Sequence, residues 1–256
     1  MSIHPTAIVD PKASIDPSVV IGPYCVIDAD VTLDSGCVLD CFVRILSGSR
    51  IGPNNRFHAN AVIGDAPQDL KSTEEPTTLR IGSGNVFREG FTAHRSNTPE
   101  EETIIGDSGF FMANSHVGHN SVLGNHLIVA NGALIGGHVT VEDRAFLSGN
   151  VAVHQFTRIG RLSLSQGNAS ISTDIPPFCI ATGLNRLCGL NRVGLIRAGV
   201  PEEERNRLRQ VYRRLFYERR PMRGVIDELR SQETAPTVLE LLDFVAGSQR
   251  GVASHR

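Results

Sequence analysis

From Ile3 to Ile171 the chain sets a bulky apolar side chain at every sixth position. Of the 29 positions in that register, 24 carry Ile, Leu, Val or Phe; the exceptions are Asp69, Glu75, Ala93, Pro99 and Ser165. Neither the 3.6-residue period of a helix nor the alternation of an ordinary strand produces a period of six. A repeat this short predicts an all-β solenoid of very short parallel strands, in which each hexad supplies one flat face and one tight corner. Three hexads close a triangular coil, so residues eighteen apart stack at about 4.8 Å, the spacing of adjacent strands.

The solenoid is expected over residues 1–185, with two loops extruded at 65–79 and 96–103. The first keeps the six-residue register, since Ile63 and Ile81 are eighteen apart. Long loops thrown out of a regular coil are more often functional than structural. Residues 186–256 read as a linker and a small helical domain. Pro201 followed by Glu202, Glu203 and Glu204 signals a helix start, with the acids at the positive end of the dipole. Leu208, Val211, Tyr212, Leu215 and Phe216 then form one apolar stripe, Val225 and Leu229 suggest a second helix, and Val238, Leu241, Leu242 and Val245 a third. Between residues 200 and 230 there are nine Arg against six acids. They form either a solvated helix face or a landing patch for an acidic partner.

Composition narrows the class. A net charge of −2 gives no argument for nucleic acid, and no apolar run approaches membrane-spanning length. Five cysteines lack metal or redox spacing and read as buried thiols in a reducing compartment. The repeat begins at Ile3, leaving no room for a signal peptide, so a soluble cytoplasmic protein is expected.

The most specific chemical signal lies between residues 116 and 155. Positions 117, 135 and 153 differ by eighteen, so the hexads carrying His119, His138 and His154 stack on one face and their imidazoles are expected along one strip. His116 closes the hexad before it, at the corner leading in, while His126, His4 and His58 fall elsewhere. Two chemistries suit such a strip. A neutral imidazole can take a proton from a substrate hydroxyl near neutral pH, or three histidines can bind zinc, as in the γ-class carbonic anhydrases that use a similar solenoid. Those enzymes pair two zinc histidines five residues apart. Here His94, His116 and His119 give a spacing of three, which does not match.

The hexad pattern resembles the left-handed parallel β-helix of the hexapeptide-repeat transferases. With HVGHN, GGHV, AVHQF, the PQDLK loop and DIPPF all present, the whole chain resembles the UDP-N-acetylglucosamine 3-O-acyltransferases, which take the first step of lipid A synthesis. The resemblance implies that His119 is the general base that deprotonates the sugar 3-hydroxyl for attack on an acyl-carrier-protein thioester, and that the Gly137 N–H stabilises the oxyanion. It assigns His116 and His138 to the reacting centre, and Gln68, Asp69 and Lys71 of the protruding loop to the sugar. Lys71 is one of only two lysines in the chain. His154 and Gln155 match contacts on the nucleotide side, Asn191 and Arg197 match contacts to the diphosphate, and Gly167 matches the position limiting acyl-chain depth. A homotrimer is implied, with no metal and no cofactor beyond the phosphopantetheine carried by the donor.

Three departures bear on the expectation. Many members follow the base with Asp, whereas this chain has Asn120. An amide oxygen orients the imidazole but stabilises imidazolium less than a carboxylate, which predicts a slower or alkaline-shifted reaction. Val193 and Ala198 replace a common acid and arginine, which leaves open a diamino-sugar nucleotide acceptor and an amide product. The N-acyltransferases later in the pathway carry an extra N-terminal domain, and CoA-dependent acetyltransferases have fewer repeats. A silent scaffold would leave the histidines and loops without purpose.

Overall fold

The computed structural model describes residues 2–72, 75–218 and 220–255. Most strands are two residues long, and each pairs in parallel with the strand one coil away. Among the described residues they form three sheets of eleven, nine and eight strands, the three faces of a prism. The coil is left-handed. Two-residue strands carry little of the twist that drives ordinary crossovers to the right. The expected spacing of eighteen holds from Ser2↔Val20 onward, and again across Ile105↔Leu123, Val117↔Ile135 and Ile135↔Val153.

Register residues from Ile21 to Ile171 point inward and are buried, including Ala93 and Ser165, except Asp69, Glu75 and Pro99 on the two loops. A second inward position lies two residues before many of them, occupied by small or polar groups such as Cys25, Cys37, Ala61, Ser115, Ser121 and Ala133, or by larger ones such as Leu79, Phe91 and Leu127. At mid-prism Phe57, Phe87, Phe91 and Phe111 fill the interior, Phe87 lying 4.8–5.0 Å from each of the other three. Corners recur at multiples of six with φ near +55° to +65°, a region that favours Asn over most side chains. Asn54, Asn60, Asn114, Asn120, Asn150 and Asn168 all sit there, as does His138 at +55°.

The two loops leave the prism at the same corner on consecutive coils. Eighteen residues separate Ile63 from Ile81 and twelve separate Ala93 from Ile105, where six suffice between Val117 and Leu123. Ile63 therefore stacks on Ala93, not on Ile81, and Ile81 stacks on Ile51. The backbone of Arg95 donates to the Asp65 carbonyl and that of Ser96 to the Thr78 carbonyl, which ties the two loop roots together.

The last coil ends in Cys179–Thr182, which turns back antiparallel through Arg186–Leu190. Among the described residues four helices follow: α1 (Arg192–Arg197), α2 (Glu202–Phe216), α3 (Met222–Arg230) and α4 (Pro236–Ala246). The three expected helices are present, and α1 is additional. Their apolar stripes bury Leu208, Val211, Leu215, Val225, Leu229, Leu241 and Leu242 together with Leu162 and Phe178 from the solenoid. Arg161 clamps Glu240 of α4 with two hydrogen bonds of 2.7–2.8 Å. Of the cysteines, Cys25, Cys37 and Cys179 are buried as expected, Cys41 is half-buried, and Cys188 is exposed. No helix among the described residues is long and apolar enough to cross a membrane.

Candidate active site

His119 stands at the loop-bearing corner, one coil above the second loop, and is only 5% exposed. Its Nδ1 lies 2.7 Å from Asn120 Oδ1, which also accepts the Asn97 backbone N–H at 3.0 Å. Asn120 Nδ2 donates to Glu101 Oε2 at 2.6 Å and to Ser96 Oγ at 2.9 Å. A backbone donor on one side and a carboxylate on the other permit only one orientation of the amide. Nδ1 of His119 therefore carries the proton, and Nε2 presents a lone pair. That lone pair is what a general base requires.

Nε2 lies 3.9 Å from Asp69 Oδ2. The first loop brings Asp69 there and holds it: Oδ1 accepts the Lys71 backbone N–H at 3.0 Å and Oδ2 accepts Asn97 Nδ2 at 2.8 Å. Those donors, Lys71 first and then Asn97, keep the Asp69 carboxyl below the usual carboxylate range. Gly137 lies against the other side of the imidazole. A methyl group at its Cα would meet His119 Cε1 and Nε2 at 2.6 Å. Among the described residues no group accepts the Gly137 N–H, while its carbonyl accepts from Phe156.

His138 meets His119 edge-on at 5.2 Å and stacks on Phe156 at 4.6 Å. His94 and His116 meet edge-on at 4.8 Å, and His116 Nδ1 bonds Thr92 Oγ1 at 2.7 Å. Burial, followed by the neighbouring His94 and His119, pushes His116 down to about 4. Burial also lowers His94, with Asp65 opposing, and His138, with Glu101 opposing. These three rings are thus biased toward the neutral form at pH 7. Among the described residues, no three His, Cys, Asp or Glu side chains converge as metal ligands would.

The expected strip of His119, His138 and His154 is corrected in one member. Register places His154 above Gly136 and Gly118, not above His119 or His138. Its ring is exposed, with Nδ1 toward the Gln155 carbonyl. Asp69, His116, His119, Asn120, Gly137 and His138 come together. Gln68 and Lys71 are exposed on the first loop, Gln155 is exposed beside His154, and Gly167 is exposed further up the prism. Asn191 is buried as the N-cap of α1; its Oδ1 accepts from Gly194 and its Nδ2 donates to the Leu162 carbonyl. Arg197 is exposed in the last turn of that helix. The sequence reading considers His94 only as a zinc ligand, and it misses Ser96, Asn97 and Glu101 as neighbours of this site. The two loops leaving one corner are the signal that would have found them.

The family model described as UDP-N-acetylglucosamine O-acyltransferase, domain 2, matches residues 174–253. An acyl-[acyl-carrier-protein]–UDP-N-acetylglucosamine O-acyltransferase of an Anaeromyxobacter species is 47% identical, over 98% of this chain and 99% of its own. The solved UDP-N-acetylglucosamine acyltransferase of Francisella novicida superposes with a TM-score of 0.95 at 32% identity, covering 98% of this chain and 94% of its own. The corresponding structure from Acinetobacter baumannii gives a TM-score of 0.95 at 35% identity, covering 98% and 99%. Sequence and architecture together place the chain in one group: it belongs to the UDP-N-acetylglucosamine O-acyltransferase family.

Proposed function

We propose that this protein transfers a 3-hydroxyacyl group from acyl carrier protein to the 3-position of UDP-N-acetylglucosamine, with His119 as the general base. The observation that carries this reading is the fixed tautomer of His119, whose Nε2 lone pair lies between the Asp69 carboxylate and Gly137. Nε2 takes the proton from the sugar hydroxyl as its oxygen attacks the thioester carbonyl. The charge that develops on the carbonyl oxygen is met by the Gly137 N–H, a contribution typically worth a few kcal/mol. Collapse of the tetrahedral intermediate expels the thiolate, which recovers the proton from the imidazolium.

Asp69, held by the first loop, would orient the sugar, and His116 and His138, biased to neutrality, would donate or accept hydrogen bonds without adding charge. The phosphopantetheine arm comes with the donor, so the reaction calls for no resident cofactor or metal. On this reading the enzyme works in the cytoplasm as a homotrimer, about three times the 27.7 kDa chain by light scattering. On the same reading the acidic carrier lands at a cavity of about 560 Å³ lined by Arg192, Arg205, Arg209, Arg213 and Tyr217. Arg207 and Arg214 of the tail are instead paired within the chain, with Glu233 and Glu228.

The test is transfer of a radiolabelled acyl group from a panel of 3-hydroxyacyl carrier proteins to UDP-N-acetylglucosamine. Ester product with one chain length supports the reading. Product formed only with a 3-amino acceptor would replace it with amide formation, and no product with either would remove it.

A further inference from the structure

We propose that Glu101 is a positioning residue that supplies, through the Asn120 amide, the negative charge this histidine lacks in direct contact. The inference rests on His119 acting as the base of the proposed transfer. Asn120 is neutral, yet it is not a terminal partner. Its Nδ2 donates to Glu101 Oε2 at 2.6 Å while its Oδ1 accepts from His119 Nδ1 at 2.7 Å. The carboxylate thus polarises the amide toward the imidazole, and the chain of hydrogen bonds strengthens as positive charge develops on the ring. A carboxylate has moved one hydrogen bond away from the imidazole, and the amide bridges the gap.

The neighbouring acids do not compete for this role. Glu102, the next residue, is turned to Arg80 and Thr78. Among the described residues, the other charged and titratable groups that face His119 are Asp69 from the first loop, His138 from the coil above, and His94 and His116 from the strands Thr92–His94 and His116–Val117. Asp69 is engaged by Lys71 and Asn97 and lies on the Nε2 side, where it meets substrate rather than the Nδ1 proton. Glu101 also approaches His138 Nδ1 at 3.5 Å, so the same carboxylate borders both rings. The backbone supports the geometry: Asn120 sits in the left-handed corner conformation at φ +58°, its N–H is taken by Thr103, and Asn97 pins its oxygen.

The experiment moves the charge. Glu101→Gln keeps an acceptor for Asn120 but removes the charge, and kcat should fall about tenfold with KM for UDP-N-acetylglucosamine within about twofold. Asn120→Asp alone sets a second carboxylate against Glu101 and should lose at least as much. The double variant Asn120→Asp/Glu101→Gln restores one carboxylate and one amide in exchanged places, and should recover kcat to within about threefold of wild type. Unchanged kcat in Glu101→Gln, or a double variant no better than the poorer single one, would overturn the relay.

A substrate-free measurement separates this from failure of the function itself. The His119 Nδ1–H proton resonance should move upfield in Glu101→Gln and return downfield in the double variant. That pattern without any acyl transfer by wild type would retain the relay and reject the reaction. Transfer by wild type with no movement of the resonance would do the reverse.

Discussion

Gly137→Ala tests the tightest contact in the site. The added methyl would lie 2.6 Å from both Cε1 and Nε2 of His119, well inside van der Waals contact. Gly137 is not in the left-handed region, so the backbone tolerates alanine and only the contact with the ring is at stake. The ring has little room to yield, because Nδ1 is bonded to Asn120 at 2.7 Å and His138 stands 5.2 Å away. Tilting it breaks a buried hydrogen bond, about 1 kcal/mol, and overpacks a closed site for about 1–3 kcal/mol more. Melting should fall by about 2–4 °C for each kcal/mol in a chain of this size. The kinetic effect should be larger, about 100-fold in kcat, since a shift near 1 Å of a reacting group costs that much. The backbone N–H remains, so any loss reports the position of His119 and not removal of the oxyanion donor. Gly149→Ala, where the nearest atom to the new methyl is 3.5 Å away, should leave kcat and melting unchanged. Steady-state kinetics with thermal melts of both variants decide it: kcat for Gly137→Ala within threefold of wild type would refute the reasoning.

Phe87→Ala removes the ring that touches Phe57, Phe91 and Phe111, and should cost about 3–5 kcal/mol in chemical denaturation; a loss below 1 kcal/mol would mean the interior collapses around it. His116 is lowered from 6.5 to about 4, so between those values the unfolded chain binds a proton that the folded chain refuses. Its contribution is therefore present above pH 6.5 and lost as pH falls toward 4, up to about 3 kcal/mol. His116→Asn should flatten the stability profile across that window in denaturant titrations, and an unchanged slope would contradict the assignment. Arg205→Ala/Arg209→Ala should raise KM for the acyl carrier protein several-fold at low salt and less at high salt, with KM for the sugar nucleotide unaffected; equal effects on both substrates would exclude a docking role.

Much of the scaffold was legible because a period of six fixes which side chains face inward. Val117, Ile135 and Val153 could be stacked by counting, and the apolar stripe of α2 was readable from its helical spacing. The same period hid the corner. Both loops add whole multiples of six residues, so Ile63 and Ile81 stay in register while belonging to different faces. The number of coils traversed is invisible to the pattern, and with it the convergence of Asp69, His94, Asn97 and Glu101 on His119. His154 shows the opposite error: a shared face does not ensure a shared position along the corner, and two residues separate His138 from the column that His154 shares with Gly136. The short helix α1 gave too few residues for a period, and its Asn191 cap is set by tertiary contacts with Leu162 and Phe178. The amide in place of an acid at position 120 was visible, but its hydrogen bond to Glu101 crosses a loop whose path the repeat does not encode.

The account stands on the Nε2 lone pair of His119. Turnover by His119→Ala, measured with acyl carrier protein donor and UDP-N-acetylglucosamine after calorimetry has established that the variant still binds the sugar nucleotide, tests it most directly. The account predicts a loss of about 100- to 10,000-fold in kcat with binding retained. Turnover within tenfold of wild type would show that another group removes the proton.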